Sequence, residues 1–252
     1  MKISVITVCY NSEKFIKHCI ESVNTQLYEN IEHIFIDGLS SDNTISIIKN
    51  SSKQQKVLIS ERDNGIYDAM NKGLKICSGD IVCFLNSDDF FSNDNVLDEI
   101  VKSFNESQNQ LVWGNINLVH QNNLSKVIRK IKPGPLNKKS LLLGRVPAHP
   151  SFFMSKKIAD AVGFHNLKYD VAADFDFMKR ALMETKYKGK YLNLTTTIQR
   201  SGGYSGQFSN IVRGNLQIVD SLKKTYSNFG IIAFLFAKFK QKTTDYLRAL
   251  FT

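Results

Sequence analysis

The chain has 252 residues, of which 42% are hydrophobic, and a formal net charge of +10. This suffices for one large core, or for one core and a smaller lobe. The four cysteines, Cys9, Cys19, Cys77 and Cys83, contain no Cys-x-x-Cys pair, so neither a zinc site nor a disulfide framework is indicated and a reducing cytoplasm is expected. No stretch reaches the roughly 20 apolar residues of a spanning helix.

The first predicted unit is strand, helix, strand. Short β-branched runs at Ile3–Val8 and Ile31–Asp37 flank a segment, Phe15–Val23, whose apolar residues recur at helical spacing. We interpret the first run as a strand and not as a signal peptide. Asn11 or Ser12 is the predicted N-cap of the helix. A right-handed crossover makes the two strands parallel neighbours.

The alternation then continues along the chain. A second helix follows the sequence SSDNT, a third strand is predicted at Lys56–Ser60, a third helix at Ile66–Ile76 and a fourth, wholly apolar strand at Ile81–Leu85. Such runs are typical of a parallel sheet covered on both faces. Open sheets bind ligands beyond the carboxyl ends of their strands. Polar groups are predicted there at Asp37, Glu61–Asp63 and Asn86–Asp89.

Beyond residue 110 the pattern is looser. Leu111–Val119 is compatible with a strand, Ile128–Leu136 with a basic turn region, and a helix is predicted to start near Asp174. The tail from Ser209 to Thr252 has a largely helical pattern.

Asp88 and Asp89 stand side by side at the end of the fourth predicted strand. Unpaired neighbouring carboxylates repel each other, which raises the pKa of one of them, and a divalent cation removes that cost. Mg²⁺ or Mn²⁺ commonly binds one or two carboxylates together with water and phosphate oxygens, so a diphosphate ligand is indicated. The alternative is a solvated, helix-capping loop. The chain has no phosphate-binding G-x-x-x-x-G-K-[ST] motif.

Several segments in a fixed order closely resemble family 2 glycosyltransferases with the A-type fold. These segments are ITVCYN, IDGLSSDNT, SERDNGIYDAMNKG and FLNSDD in residues 1–100, then HPSFFM, AADFDFMKRAL and SGGYS up to about residue 206. The resemblance implies an α/β fold with a Rossmann-like, mostly parallel central sheet flanked by helices. It also implies a catalytic domain at 1–208, with a nucleotide-sugar half at 1–110 and an acceptor half at 111–208, followed by a helical extension at 209–252.

The resemblance also implies roles for individual residues on the donor side. Thr7, Tyr10 and Asn11 match positions that contact the nucleotide, and Asp37 matches the aspartate that bonds the base. Arg62 and Asp63 lie where the family contacts the base or a phosphate. Asp88 is expected to face the ribose or the metal and Asp89 the metal itself, which is Mg²⁺ or Mn²⁺. Thr7 and Tyr10 have the alternative of simple packing. Many family members have aspartate where Asn86 stands.

On the acceptor side the resemblance makes Asp174 the closest match to the general base, with Asp176 in reserve. The alternative is that Asp174 caps the helix and Asp176 strengthens its first turn. His149 is expected to line the acceptor side or to serve as a turn residue. Arg200 is expected either to reach phosphate from a loop that closes over the donor or to lie in a plain turn.

The implied activity is inverting, metal-dependent transfer of one sugar from a nucleotide sugar, with a UDP-sugar favoured, to a saccharide or lipid-linked saccharide. Within the family the segments look most like enzymes of bacterial surface polysaccharides such as capsule, O-antigen or colanic acid. The absence of a Q-x-x-R-W motif argues against a processive polymerase. The alternative is a non-catalytic nucleotide-sugar-binding or scaffold protein of an assembly complex.

The positive charge is concentrated in the second part of the chain. Residues 1–100 hold 9 Lys and Arg against 15 Asp and Glu, whereas residues 101–252 hold 24 against 8. From Lys223 onward, six basic residues and one acidic residue accompany Phe, Ile and Leu. This pattern suits an anionic inner-membrane surface on its cytoplasmic face. Packing of the C-terminal helices on the catalytic domain or on a second subunit is the alternative, and no nucleic-acid-binding motif accompanies the charge.

Overall fold

The computed structural model describes residues 1–51, 53, 55–107, 109–202, 208–228 and 230–237. Strands alternate with helices through the first half of this part of the chain. The strands are β1 (Ile3–Cys9), β2 (Ile31–Asp37), β3 (Gln55–Ser60), β4 (Ile81–Phe84), β5 (Phe90–Phe91), β6 (Leu111–His120), β7 (Asn123–Ile131), β8 (Phe152–Ser155) and β9 (Lys190–Arg200). The helices are α1 (Ile16–Asn24), α2 (Thr44–Ser51), α3 (Ile66–Ile76), α4 (Val96–Ser107), α5 (Lys138–Leu142), α6 (Lys156–Val162), α7 (Ala173–Glu184) and α8 (Phe208–Lys223).

All nine of these strands form one sheet with the order β3-β2-β1-β4-β8-β6-β9-β5, and β7 pairs with the outer part of β6. The strands β3, β2, β1 and β4 are parallel, as the uninterrupted apolar runs predict. Beyond β4 the sheet is mixed, because β8 is antiparallel to both β4 and β6 while β6 and β9 are parallel. The predicted α/β fold is confirmed, and the sheet runs continuously through both predicted halves.

Helices cover the two faces of the sheet, and strand β4 shows how. Val82 and Phe84 point to a core that includes residues of α3 and α7. Ile81 and Cys83 point to the other face, where residues of α1 and α4 pack. Because both sets are buried, strand β4 contains no polar residue, and its first polar group, Asn86, appears where the strand has left the core.

Two local predictions differ from the structure. Helix α1 starts at Ile16, after the N-cap residue Phe15, and not at Asn11 or Ser12. The side chains of Asn11 and Ser12 instead bond to neighbouring loops, which leaves neither available as a cap. The segment Ile128–Ile131, predicted as part of a basic turn region, completes strand β7.

The described C-terminal part is helical, as expected. Helix α8 is followed by a helical segment at residues 230–237, and the predicted helix beyond it, at 238–252, lies outside the described residues. Within the described ranges, no helix combines the length and the hydropathy that crossing a bilayer requires.

Candidate active site

Asp37 ties together the carboxyl ends of the parallel strands. It ends β2 in register with Cys9 of β1 and Ser60 of β3. Its Oδ2 accepts hydrogen bonds from the Ser60 hydroxyl at 2.7 Å and from the Ser40 N–H at 3.0 Å. The side chain is fully buried and thus holds the sheet edge in place.

Asn11 and Ser12 draw the loops after β1, β2 and β4 together. Asn11 has a left-handed backbone (φ 47°), which asparagine tolerates better than most residues, and its Oδ1 accepts the Ser41 N–H at 2.9 Å. The Ser12 hydroxyl lies 3.0 Å from that of Ser87, in the loop that carries the paired acids. The predicted convergence of these loops is therefore observed.

Tyr10 and Asp63 flank Gly38 at this edge. A Cβ atom at Gly38 would lie 2.7 Å from Asp63 Oδ2 and 3.4 Å from a Tyr10 ring atom, so glycine allows both side chains to approach the backbone. Tyr10 is 66% exposed and presents its ring to solvent. Arg62 is also exposed here. An aromatic surface beside a carboxylate suits a flat, hydrogen-bonding nucleobase.

Thr7 does not reach this edge. It is fully buried, and its Oγ1 lies 2.9 Å from Nε2 of His33 and 3.8 Å from Sγ of Cys19 on helix α1. Its hydroxyl is therefore used inside the core, and the predicted contact with a nucleotide is not supported.

The paired acids differ in accessibility. Asp88 is half-buried, whereas Asp89 is 1% exposed and accepts hydrogen bonds from Asn86 Nδ2 at 3.0 Å and from the Arg200 N–H at 3.3 Å. Burial raises the pKa of Asp88, and burial together with the Asp88 charge raises the pKa of Asp89 well above its usual range. Asp88 is therefore the more accessible carboxylate of the pair, and the role of Asp89 as the metal ligand stays a prediction.

The residues around this pair fit a hard divalent cation. Oδ1 of Asn86, near the two carboxylates, is buried and has no hydrogen-bond partner among the described residues. A cation bound by the carboxylates would give this oxygen a partner. No group of three or more His, Cys, Asp and Glu side chains gathers as a metal site within the described part of the chain. A cation here would therefore complete its shell with water and diphosphate oxygens, as Mg²⁺ commonly does.

Arg200 lies behind the acids and not in a loop over the donor. It ends strand β9, and its guanidinium carbon lies 4.9 Å from the ring centre of Phe90 and 5.1 Å from that of Phe15. Its Nη1 donates to the carbonyl of Asp88 and its Nη2 lies 2.7 Å from His18 Nδ1. Arg200 therefore holds the acidic loop from inside, and most of the following SGGYS segment lies outside the described residues.

Asp174, the acid predicted for the acceptor side, is half-buried. It lies in the first turn of α7, whose N-cap is Ala172, so Asp174 is not the cap residue. Its Oδ1 accepts the Phe175 N–H at 2.7 Å and lies 3.2 Å from the Tyr67 hydroxyl. Oδ2 accepts no hydrogen bond from any described residue, so it can take a proton from a bound hydroxyl.

Two buried histidines link Asp174 to the acidic loop. His149 stacks on Phe84, at a ring-centre distance of 4.7 Å, and lies 5.6 Å from His165 in a perpendicular arrangement. Burial lowers the pKa of His149, and the charge of Asp174 partly offsets this, so the two groups interact. His165 in turn lies 5.6 Å from the ring of Tyr67, whose hydroxyl lies 3.2 Å from Asp174, so ring contacts connect Phe84, just before the acidic loop, with Asp174.

His165 was not singled out by sequence reasoning, because a lone histidine in GFHN carries no motif. Asn71 Nδ2 donates to the His165 carbonyl at 3.0 Å, so Asn71 Oδ1 is the acceptor for His165 Nδ1 at 3.1 Å. His165 Nδ1 thus carries the proton. Nε2 of both His149 and His165 is buried without a hydrogen-bond partner in the described residues.

Asp176 lies outside this site. Its Oδ1 accepts the Ser221 hydroxyl at 2.6 Å and lies 3.4 Å from Lys179 Nζ, and its Oδ2 accepts Arg180 Nε at 2.8 Å. Burial raises its pKa, but the bonds from Ser221 and Arg180 lower it by more. Asp176 faces helix α8, on nearly the opposite side of α7 from Asp174, because residues two apart in a helix point about 200° apart. Its role is structural, through bonds to Ser221, Lys179 and Arg180.

Comparisons with known proteins identify the family of this chain. The model of the family described as Glycosyl transferase family 2 matches residues 4–163. An uncharacterised glycosyltransferase of Mycobacterium tuberculosis H37Rv is 34% identical over 185 residues, which cover 72% of this chain and 69% of the relative.

Two solved structures share the fold. TarS 1-349 of S. aureus, in complex with UDP-GlcNAc, has a TM-score of 0.73 at 19% identity, and the match covers 95% of this chain. This chain spans 73% of that TarS fragment and 43% of a longer TarS chain. The mannosyltransferase PcManGT of Pyrobaculum calidifontis, in complex with GDP-Man and Mn²⁺, has a TM-score of 0.63 at 16% identity and covers 94% of this chain, which spans 68% of it. The chain belongs to glycosyl transferase family 2 and is a glycosyltransferase.

Proposed function

We propose that this glycosyltransferase moves one sugar, with inversion, from a nucleotide diphosphate sugar to a hydroxyl group of a saccharide or lipid-linked saccharide during assembly of a bacterial surface polysaccharide. One observation carries the proposal: Asp88, Asp89 and the unpartnered Asn86 oxygen follow β4, and Phe84 of that strand contacts the His149 cluster beside Asp174. This chain of contacts supports a leaving-diphosphate site and a candidate base that act on one bound donor.

The donor nucleotide would bind along the carboxyl edge of β1 to β4. Tyr10 and Asn11 would form one wall, with the buried Asp37 bonded to Ser40 behind them, and Asp63 with Arg62 would form the other. A UDP-sugar is the favoured donor, because the neighbour with the higher TM-score contains UDP-GlcNAc, and GDP-mannose in the second neighbour is the alternative.

Mg²⁺ or Mn²⁺ held by Asp88, with Asp89 and Asn86 behind it, would neutralise the charge that develops on the diphosphate as the glycosidic C–O bond breaks. Asp174 Oδ2 would take the proton of the acceptor hydroxyl. That hydroxyl oxygen would attack the anomeric carbon from the face opposite the diphosphate, which leaves with the bonding electron pair and thereby inverts the centre. General-base assistance of this kind is worth about 10² to 10⁴ in rate.

The proposed location is the cytoplasm, at the inner face of the membrane where a lipid-linked acceptor would lie. Basic residues outnumber acidic ones by 24 to 8 after residue 100, which supports an anionic neighbour.

Turnover of UDP-GlcNAc, GDP-mannose and related nucleotide sugars, with Mg²⁺, with Mn²⁺ and with chelator, tests the proposal. We expect release of nucleoside diphosphate that requires the cation and falls at least about 100-fold in Asp88→Asn. The matched control is Asp98→Asn, on the exposed face of α4, where the carboxylate only pairs with Lys102. Cation-independent turnover, or an equal loss in both variants, would contradict the proposed role of Asp88.

A further inference from the structure

The helix at residues 230–237 is apolar on two sides. One side packs on the catalytic domain: Ile231 and Phe234 are buried, and the Phe234 ring centre lies 5.8 Å from that of Phe175. The opposite side carries Ile232, 65% exposed, and Phe236, 72% exposed. A helix of a water-facing surface normally has one apolar stripe, so the second stripe needs an occupant.

The exposed stripe is a compact unit. Ile232 and Phe236 are four residues apart and are therefore neighbours on the helix surface, and Leu235 between them is also exposed. Large side chains of this type gain most from insertion at the boundary of headgroups and acyl chains. The stripe is presented outward by a helix that is already fixed on its other side.

The charge around the stripe selects its occupant. Lys223 and Lys224 are exposed just before this helix. The sequence that follows adds Lys238, Lys240, Lys242 and Arg248 against the single acid Asp245. A two-fold contact with a second copy would bring two identical cationic patches together, and they would repel each other. On an anionic lipid surface, by contrast, each nearby cation strengthens binding of the protein about fivefold.

We propose that Ile232, Leu235 and Phe236, with the exposed Lys223 and Lys224, form a docking surface for an anionic lipid membrane. The helix lies against Phe175, the residue after Asp174, so docking would keep the acceptor side of the site close to the bilayer. This inference rests on the membrane location given under Proposed function and names the surface that would provide it, but it does not depend on the transfer reaction, because membrane binding needs no turnover.

Co-sedimentation with phosphatidylcholine vesicles, with and without phosphatidylglycerol, tests the docking surface. We expect the full chain to bind the anionic vesicles, to bind neutral vesicles at least about tenfold more weakly, and to be released by salt. The double variant Ile232→Ser, Phe236→Ser should bind anionic vesicles at least about tenfold more weakly, since two insertable side chains are lost.

The matched control is Leu27→Ser, because Leu27 is 68% exposed in the loop after α1 and far along the chain from the stripe. It should bind vesicles as the unchanged protein does. Circular dichroism and nucleotide binding should be the same in all three proteins, which separates lost docking from lost folding. Three results would each overturn the proposal: no binding to anionic vesicles, equal binding of the double variant, or a concentration-dependent dimer that the double variant abolishes while vesicle binding is absent.

Discussion

The hydroxyl of Tyr67 lies 3.2 Å from Oδ1 of Asp174, although 107 residues separate them in sequence. The same hydroxyl lies 2.8 Å from the carbonyl oxygen of Val171, just before α7 begins, so its one proton is shared between these two acceptors. Tyr67 stands on α3, whose neighbouring loop carries Asp63 of the nucleotide edge. The position of the candidate base is therefore set by a residue from the half of the chain that would bind the donor.

Tyr67→Phe is expected to lower the kcat of transfer about fivefold and to leave the dissociation constant of the nucleotide unchanged. The variant removes one hydrogen-bonding hydroxyl, worth about 1 kcal/mol, but keeps the ring that stacks on His165 at 5.6 Å. Steady-state kinetics and calorimetry with UDP measure the two quantities separately.

Tyr191→Phe is the matched control for Tyr67, because the Tyr191 hydroxyl bonds Asn115 at 2.7 Å in another part of the sheet. It should lose comparable stability with no change in kcat. If both variants lowered kcat equally, the effect of Tyr67→Phe would reflect stability and not positioning of Asp174.

Asp174→Asn should lower transfer activity and Asp176→Asn should lower stability, although the two residues occupy the same helical turn. The first keeps the shape that accepts the Phe175 N–H and removes the base, so transfer should fall about 10² to 10⁴-fold at unchanged stability. The second leaves the buried cation of Lys179 without its carboxylate, so the free energy of unfolding should drop by about 3 kcal/mol. Urea unfolding and initial rates on both proteins separate the roles, and full transfer activity in Asp174→Asn would remove it as the base.

Gly38→Ala should weaken nucleotide binding about tenfold without unfolding the protein. The added Cβ would lie 2.7 Å from Asp63 Oδ2, so the Asp63 side chain has to move, whereas the backbone of Gly38 needs no left-handed conformation. Calorimetry with UDP measures the affinity.

A double-mutant cycle shows whether Gly38 acts through Asp63. In an Asp63→Ala background, Gly38→Ala should have little further effect, because the displaced carboxylate is already absent. Additive losses in the cycle would mean that the new methyl group blocks the nucleotide directly.

The sequence predicted the donor edge better than the acceptor side, for a physical reason. Strands β1, β2 and β4 are parallel and buried on both faces, so their apolar runs reveal both the sheet and the edge that carries Asp37 and Asp88. The mixed strands beyond β4 pair over long separations, and no local pattern predicts that His149 would stack on Phe84.

The direction in which each polar side chain points could not be predicted from the sequence either. Thr7 and Asp176 belong to the expected segments, yet the alternation of β1 points Thr7 at His33, and the turn of α7 points Asp176 at Ser221. Asp89 is less accessible than Asp88 partly because the backbone N–H of Arg200, 111 residues later in the sequence, bonds to it. Segment identity was therefore predictable, whereas the partners of each polar atom were not.

Mildly acidic pH should destabilise the protein through histidines that are buried in the neutral state. Burial lowers the pKa of His33 to about 3 and lowers those of His149 and His165 as well. The unfolded chain, with histidine pKa values near about 6.5, therefore binds more protons than the folded chain below that pH, and each such histidine costs about 1.4 kcal/mol per pH unit. For His33 the loss begins as pH falls through about 6.5 and stops near its folded pKa of about 3.

His33→Gln isolates the contribution of one buried histidine, because glutamine does not titrate and can still bond the Thr7 hydroxyl that lies 2.9 Å from Nε2. Urea unfolding at neutral pH and near pH 5 should show that the loss of unfolding free energy between them is smaller by about 2 kcal/mol in this variant than in the unchanged protein. His120→Gln, at an exposed position at the end of β6, is the control and should leave that loss as it is. The same pH dependence in all three proteins would mean that His33 becomes protonated within the folded state, which its burial between Thr7 and Phe35 opposes.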